Sequence, residues 1–144
     1  MREVKVLLAD IDGVCTNGEK LVDITGKTIG KNFQDLNWSA FKRLKACGVI
    51  VEAMTGDPWN ADILWNRQIS YTLTRGSNKE DHLHDVCKRH NVTPEEIAYI
   101  GDDIFDIGIM KKVGFPFAPS NATQEVFIQT NAVRLTRKGG DNVI

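Results

Sequence analysis

The sequence predicts an α/β fold built around one doubly wound parallel sheet. Two apolar runs rich in β-branched residues, at 4–9 and 49–54, lack regular polar alternation, which is typical of parallel strands buried on both faces. Strand-like and helix-like segments then alternate along the chain. A length of 144 residues is usual for one domain, so we expect a single domain over residues 1–144.

The predicted elements follow one another without a linker. A strand at 4–9 precedes a hairpin at 19–24 and 28–33, where Gly26 suits the tight turn. A helix begins at Asn37 or Ser39 and ends at Gly48, before the strand at 49–54. The later strands are predicted at 70–73, 97–100, 115–118 and 133–135. Between them lie helices at 59–66 and 79–90, a helix start at 93–96, a helix that ends at about 114, and a helix from Ser120 or Asn121 to 130. We therefore expect a Rossmann-like sheet with a small hairpin flap.

Composition and charge exclude several classes of function. A formal net charge of −1 gives no electrostatic basis for a nucleic-acid partner. No apolar run is long enough to span a bilayer, and residues 1–5 lack the apolar core of a secretion signal, so we expect no membrane partner. The three cysteines have no CxxC spacing and fit reduced thiols in a cytoplasmic protein.

Two carboxylates one residue apart, Asp10 and Asp12, end the first predicted strand, and Gly13 follows. The two carboxylates stand at the carboxyl end of the predicted strand, which is where open α/β sheets bind ligands. Two close carboxylates repel each other unless a cation or a shared proton intervenes, and Mg²⁺ prefers hard oxygen ligands. Taken alone, the pair also fits an ordinary Asp-Gly turn after a strand.

Polar residues also follow the other predicted strands. Thr55 directly follows the strand at 49–54, Lys79 follows the loop after the next strand, and Asp102 and Asp103 follow the strand at 97–100. Because the carboxyl ends of parallel strands meet at one edge, these residues should converge on one cleft. This set combines aspartates that can bind a cation with the ammonium of a lysine and the hydroxyl of a threonine. Such a set suits phosphoryl transfer, in which a carboxylate can serve as the nucleophile.

These motifs resemble the haloacid dehalogenase superfamily of phosphatases, and its 3-deoxy-D-manno-octulosonate 8-phosphate phosphatase branch in particular. The DxDGVxTDG opening of that branch is similar to residues 10–18, and its YIGDD segment is found at 99–103. Its Thr-Arg and Gly-Gly tail is similar to residues 136–140. The motifs occur in order and the resemblance covers nearly the whole chain.

The resemblance implies a role for each matching residue. Asp10 would be the nucleophile, and Asp12 would protonate the leaving alcohol and then deprotonate the hydrolytic water. Thr55 would hydrogen-bond the transferring phosphoryl group, and Lys79 would balance its charge. Mg²⁺ would bind Asp10, the backbone carbonyl of Asp12, and Asp102.

Three further residues would support this machinery. Gly56 belongs to the second motif of the superfamily, which is similar to Met54-Thr55-Gly56 here. Asp103 would act through water or by orienting Lys79. Asp106 matches the trailing acid of the last motif, which is similar to Gly101-Asp102-Asp103 here, although an acid in a first helical turn can also simply complement the helix dipole.

The branch lacks an inserted cap domain, and the intervals between the motifs here leave no room for one. Its members close their sites by forming tetramers, so the resemblance also implies a homotetramer. A second class of function stays open at this point: a non-catalytic or regulatory oligomerisation module, related to domains of sugar-nucleotide synthetases. The intact acidic motifs favour the enzyme.

Three departures from the branch concern the substrate. Asp57 stands where Arg is frequent, Asn37-Trp38 where Asp-Gly is frequent, and Asn17 where Asp is usual. The substrate is therefore left open between 3-deoxy-D-manno-octulosonate 8-phosphate, a nonulosonate 9-phosphate and another phosphorylated sugar acid. Trp38 is expected to line the cleft.

Overall fold

A six-stranded parallel sheet with helices on both faces forms the body of the computed structural model, which describes residues 3–144. The strands are β1 Val6–Ala9, β2 Thr16–Val22, β3 Thr28–Phe33, β4 Ile50–Thr55, β5 Ser70–Leu73, β6 Ile97–Ile100, β7 Phe115–Ala118 and β8 Val133–Arg134. The helices are α1 Asp35–Ala46, α2 Asn60–Asn66, α3 Leu83–His90, α4 Ile107–Met110 and α5 Gln124–Gln129. Short 3₁₀ turns occur at Lys79–His82, Pro94–Glu96 and Ile104–Asp106.

The sheet has the strand order β5-β4-β1-β6-β7-β8, and every adjacent pair is parallel. β1 lies in the interior, where Ala9 at its carboxyl end pairs with Ala53 on one side and Ile100 on the other. The chain order reverses at β1, and such switch points are where open α/β sheets bind ligands. The predicted doubly wound, Rossmann-like sheet is confirmed, and the described residues contain no inserted cap domain.

The core lies in two layers, because successive side chains of the central strand point to opposite faces. Leu7 and Ala9 pack on the side of α1 and α2, where Phe41 and Leu64 are fully buried. Val6 and Leu8 pack on the side of α3, α4 and α5. With β1 buried on both sides, the residues that follow it are held firmly at the edge of the sheet.

The hairpin of β2 and β3 is a separate two-stranded antiparallel sheet. Its turn holds Gly26 at φ +82°, a left-handed conformation that glycine adopts without strain. β2 begins at Thr16, three residues earlier than predicted, so the hairpin starts directly after the Asp10–Asp12 loop. The predicted flap is confirmed and stands beside the carboxyl edge of the main sheet.

Two helix starts were predicted at the wrong residue because tertiary hydrogen bonds set them. α1 begins at Asp35, and Asn37 is a buried residue within it whose side-chain oxygen accepts a hydrogen bond from the Ile144 N–H. The last helix begins at Gln124 instead of Ser120 or Asn121, since residues 119–122 form a turn and the Thr123 N–H donates to the carbonyl of Asp102.

The other helices are shorter than predicted. The segment at 79–90 begins as a 3₁₀ turn before α3, and residues 94–96 form only a single 3₁₀ turn. The helix expected to close near 114 is reduced to a 3₁₀ turn and α4. Within residues 3–144, no helix combines the length and apolar character needed to cross a bilayer.

Candidate active site

A cleft of about 650 Å³ opens at the carboxyl edge of the central strands. Its walls come from the loop after β1, the end of β4, the loop after β5 and the segment after β6. The structure brings together at this cleft the eight residues predicted for catalysis, metal binding or their support: Asp10, Asp12, Thr55, Gly56, Lys79, Asp102, Asp103 and Asp106. Their individual roles stay predictions.

Three carboxylates form the acidic centre of the cleft. One oxygen from each of Asp10, Asp102 and Asp106 lies within 4.8 Å of the others. Burial, opposed by Lys79, raises the pKa of Asp10 to about 7, and burial together with the charge of Asp10 raises the pKa of Asp102 to about 8. The site therefore disfavours its own negative charge, which a bound cation would relieve.

Asp102 carries the clearest sign of a missing partner. Its Oδ1 atom is buried and accepts no hydrogen bond from any of the described residues. Buried polar atoms are nearly always satisfied by protein, water or an ion. A hard carboxylate oxygen without a hydrogen-bond partner, on a residue that clusters with Asp10, fits Mg²⁺ or a similar divalent cation.

Gly13 allows the first loop to reach Asp102. Its φ is +82°, and a Cβ atom placed on it would lie 1.9 Å from Oδ2 of Asp102. No side chain larger than hydrogen could occupy this position without moving the carboxylate. The glycine after Asp12 is therefore required for the close approach of two segments that lie far apart in sequence.

Lys79 supplies the positive charge of the site. Its Nζ lies 2.9 Å from Oδ2 of Asp10 and 2.6 Å from Oδ1 of Asp106, and its side chain is almost fully buried. Burial alone would lower the pKa of this amine, but the charges of Asp10 and Asp106 raise it above its ordinary value. Lys79 therefore remains an ammonium ion held against Asp10.

Asp106 organises the site and is not a simple dipole partner. It is fully buried, and its Oδ1 accepts hydrogen bonds from Lys79 and from the hydroxyl of Tyr99 at 2.5 Å. Its Oδ2 accepts from the N–H groups of Asp102 and Asp103 at 2.9 and 3.0 Å. With both oxygens engaged in this way, Asp106 is a weaker candidate for a metal ligand than Asp10 or Asp102.

The hydrogen bond made by the Asp103 side chain differs from its predicted interactions. Its carboxylate accepts a hydrogen bond from the N–H of Ile104 at 2.6 Å and so caps the 3₁₀ turn that follows β6. The residue that orients Lys79 by direct contact is Asp106. The role predicted for Asp103, through water or by orienting Lys79, stays a prediction.

Asp12 lies beside the carboxylate cluster but its side chain has other partners. The Lys31 ammonium contacts Oδ1 at 2.7 Å, and the amide of Asn60 donates to Oδ2 at 3.0 Å. The same amide donates to Oγ1 of Thr55 at 2.9 Å. The metal ligand expected from Asp12 is its backbone carbonyl, which stays a prediction.

A family model for haloacid dehalogenase-like hydrolases matches residues 60–140, more than half of the chain. The chain belongs to the haloacid dehalogenase-like hydrolase family. The 3-deoxy-D-manno-octulosonate 8-phosphate phosphatase of Haemophilus influenzae is 30% identical over 126 residues, which cover 85% of this chain and 68% of the relative. The Escherichia coli K12 phosphatase of the same name is 27% identical over 123 residues, 83% of this chain and 64% of the relative.

Solved structures place this haloacid dehalogenase-like hydrolase in the same group. The cobalt-bound deoxy-D-mannose-octulosonate 8-phosphate phosphatase from Haemophilus influenzae superposes with a TM-score of 0.88 and 28% identity, over 99% of this chain and 83% of that one. The chain spans less than two thirds of the Escherichia coli relative. The predictions of the family and of an enzyme of the phosphatase class are confirmed.

Sequence reasoning missed three residues of this hydrolase site. Lys31 was indistinguishable from a solvated hairpin lysine, and Asn60 from an ordinary residue in a first helical turn. Tyr99 stands in a buried apolar strand, where an aromatic residue signals core packing. Only its position four residues before Asp103, within the YIGDD motif, could have drawn attention to it.

The prediction that Trp38 lines the cleft is wrong. Its side chain is 4% exposed and stacks on Phe33 with ring centroids 5.3 Å apart, while Phe41 meets it edge-on. Trp38 lies in α1 and faces the core, where Phe33 of the hairpin stacks on it. The departure at this position therefore affects packing and not the cleft lining.

Proposed function

We propose that this chain is a Mg²⁺-dependent phosphomonoester hydrolase that acts through an aspartyl phosphate formed on Asp10. The observation that carries the proposal is the contact of Asp10 with the Lys79 ammonium, within a carboxylate cluster that also contains Asp102. A carboxylate nucleophile needs a nearby positive charge when it approaches an anionic phosphoryl group. Asp10 has that charge within hydrogen-bond distance.

The proposed reaction has two displacements at phosphorus. A carboxylate oxygen of Asp10 attacks the phosphorus, the bond from phosphorus to the alcohol oxygen breaks, and Asp12 gives its proton to that oxygen. Asp12 then takes a proton from water, which attacks the phosphorus and releases Asp10 and inorganic phosphate. Because Oγ1 of Thr55 accepts from Asn60, its own proton is free to be donated to the phosphoryl group.

Asp10, Asp102 and the backbone carbonyl of Asp12 would hold the metal ion. When bound, Mg²⁺ would neutralise charge on the phosphoryl oxygens. The hard oxygen donors and the orphaned Oδ1 of Asp102 fit such an ion. Asp106 would stay outside this ligand set, since its oxygens already accept from Lys79, Tyr99 and two backbone N–H groups.

The proposed substrate is a phosphorylated sugar acid, such as 3-deoxy-D-manno-octulosonate 8-phosphate or a nonulosonate 9-phosphate. The names of the relatives support this class. Asp57 gives this cleft an acidic group that is already paired with Lys20 and Lys31, each at 2.8 Å. This pairing distinguishes the cleft from one that presents a free arginine at that position.

A homotetramer in the cytoplasm completes the proposal. The hairpin leaves Leu21, Ile24 and Ile29 largely exposed, and apolar surface of this kind is what neighbouring subunits would cover. A solution mass equal to one chain would contradict the tetramer. The three cysteines are free thiols, which supports a reducing compartment.

Phosphate release from a panel of phosphate esters tests the activity. We expect hydrolysis of p-nitrophenyl phosphate and of sugar phosphates with Mg²⁺, and the highest kcat/KM for a phosphorylated sugar acid. Chelation by EDTA should lower the rate by at least about 100-fold, and added Mg²⁺ should restore it. Absence of phosphate release from every ester in the presence of Mg²⁺ would contradict the proposal.

A further inference from the structure

Lys31 is placed unusually for a lysine of an outer hairpin. It belongs to β3, outside the main sheet, yet its side chain is fully buried. Its Nζ contacts both carboxylate oxygens of Asp12, at 2.7 and 2.9 Å. A lysine is almost never fully buried without partners, so these contacts are what hold the ammonium in the protein.

The remaining contacts of Lys31 satisfy its ammonium. It donates to Oδ2 of Asp57 and to Oδ1 of Asn60, each at 2.8 Å, and the ring of Trp59 lies 5.3 Å away. An ammonium has three protons, and here three residues accept from it. Lys31, Asp57 and Asn60 are called the Asp12 clamp below.

Asn60 connects the clamp to the second motif. It is fully buried, and its amide group donates to Oδ2 of Asp12 and to Oγ1 of Thr55, while its oxygen accepts from Lys31. The Asp12 carboxylate thus contacts both the hairpin, through Lys31, and α2, through Asn60. Rotation of this carboxylate would break contacts with two separate elements.

We propose that Lys31 is a positioning residue for Asp12, which it holds at a fixed orientation in the cleft while tying the hairpin over that side. This inference rests on the proposed function, in which Asp12 protonates the leaving alcohol. Proton transfer depends on geometry, because the donor must lie within hydrogen-bond reach of the departing oxygen. Loss of the clamp would therefore weaken the step that delivers this proton.

The choice of leaving group separates positioning from a general structural role. An alkyl alcohol leaves as a strong base and needs the proton, whereas p-nitrophenolate leaves readily without one. Loosening Asp12 should slow hydrolysis of a primary-alkyl sugar phosphate more than hydrolysis of p-nitrophenyl phosphate. A merely structural defect would lower both rates by a similar factor.

The test compares kcat for these two substrates in Lys31→Met, with Lys27→Met as the matched control on the same hairpin. Lys27 is exposed in the turn. General acids contribute about 10²–10⁴-fold, so we expect Lys31→Met to lose at least about tenfold more kcat on the sugar phosphate than on p-nitrophenyl phosphate. Lys27→Met should leave both values unchanged.

Asp57→Asn provides a second variant in case Lys31→Met does not fold. It removes a charged acceptor of Lys31 and leaves the Asp12 carboxylate itself intact, so we expect the same selective loss with a smaller factor. An equal change on both substrates in a folded variant, or no change, would overturn the inference. An inactive wild type would instead overturn the proposed function, so the two failures are distinguishable.

Discussion

Replacing Asp10 by asparagine is expected to abolish phosphate release without unfolding the protein. The amide has nearly the same shape and its oxygen can still accept from Lys79, but it cannot form an acyl phosphate. Removal of a nucleophile costs several orders of magnitude, so kcat on p-nitrophenyl phosphate should fall by at least about 10³-fold. Burial already raises the pKa of Asp10 to about 7, so a neutral side chain is tolerated there.

The matched control for this change is Asp85→Asn. Asp85 is exposed on α3, away from the residues that line the cleft, so the same chemical replacement should leave kcat unchanged. Circular dichroism and thermal melting would show that both variants are folded. Full activity of a folded Asp10→Asn protein would rule out Asp10 as the nucleophile.

Replacing Lys79 by methionine is expected to destabilise the folded protein strongly. The change leaves Asp10 and Asp106 buried without their shared counter-charge. Breaking a buried ion pair from one side typically costs about 3–5 kcal/mol, and we expect the free energy of unfolding to fall by that amount in metal-free protein. Chemical denaturation at about pH 8 measures it, and added Mg²⁺ should recover part of the loss.

The pH dependence of this loss has a definite sign. The pKa of Asp10 in the folded protein is raised, so Asp10 is protonated and uncharged at about pH 5. The loss of unfolding free energy caused by Lys79→Met should therefore be smaller at about pH 5 than at about pH 8. The control is Lys88→Met, an exposed lysine of α3, for which we expect a change within about 0.5 kcal/mol. Equal denaturation midpoints for Lys79→Met and wild type at about pH 8 would contradict this assignment.

The convergence of the cleft could be predicted from the sequence because it follows from topology. Apolar β-branched runs fix the parallel strands, and parallel strands place Asp10, Thr55 and Asp102 at one edge whatever the details of packing. The short interval between motifs likewise excludes a cap domain. These features depend on local pattern and on strand direction alone.

The partners of Asp12 could not be predicted in this way. Lys31 is buried through tertiary contacts with Asp12, Asp57 and Asn60, and no local pattern in β3 distinguishes it from a solvated lysine. The helix starts have the same origin, since the hydrogen bond from Thr123 to the Asp102 carbonyl is a tertiary contact. Glu52 is a further case: a buried acid within the apolar run of β4, paired with His90 of α3 at 2.6 Å.

Binding of one divalent cation by Asp10 and Asp102 together is tested most directly by calorimetric titration of Mg²⁺ into wild type and Asp102→Asn. Both carboxyl groups have raised pKa values, about 7 and about 8, so protons compete with the metal below that range. We expect one site per chain, at least about tenfold tighter at about pH 8 than at about pH 6, and lost in Asp102→Asn. Wild-type affinity in Asp102→Asn, or an affinity unchanged by pH, would contradict a metal site shared by these two residues.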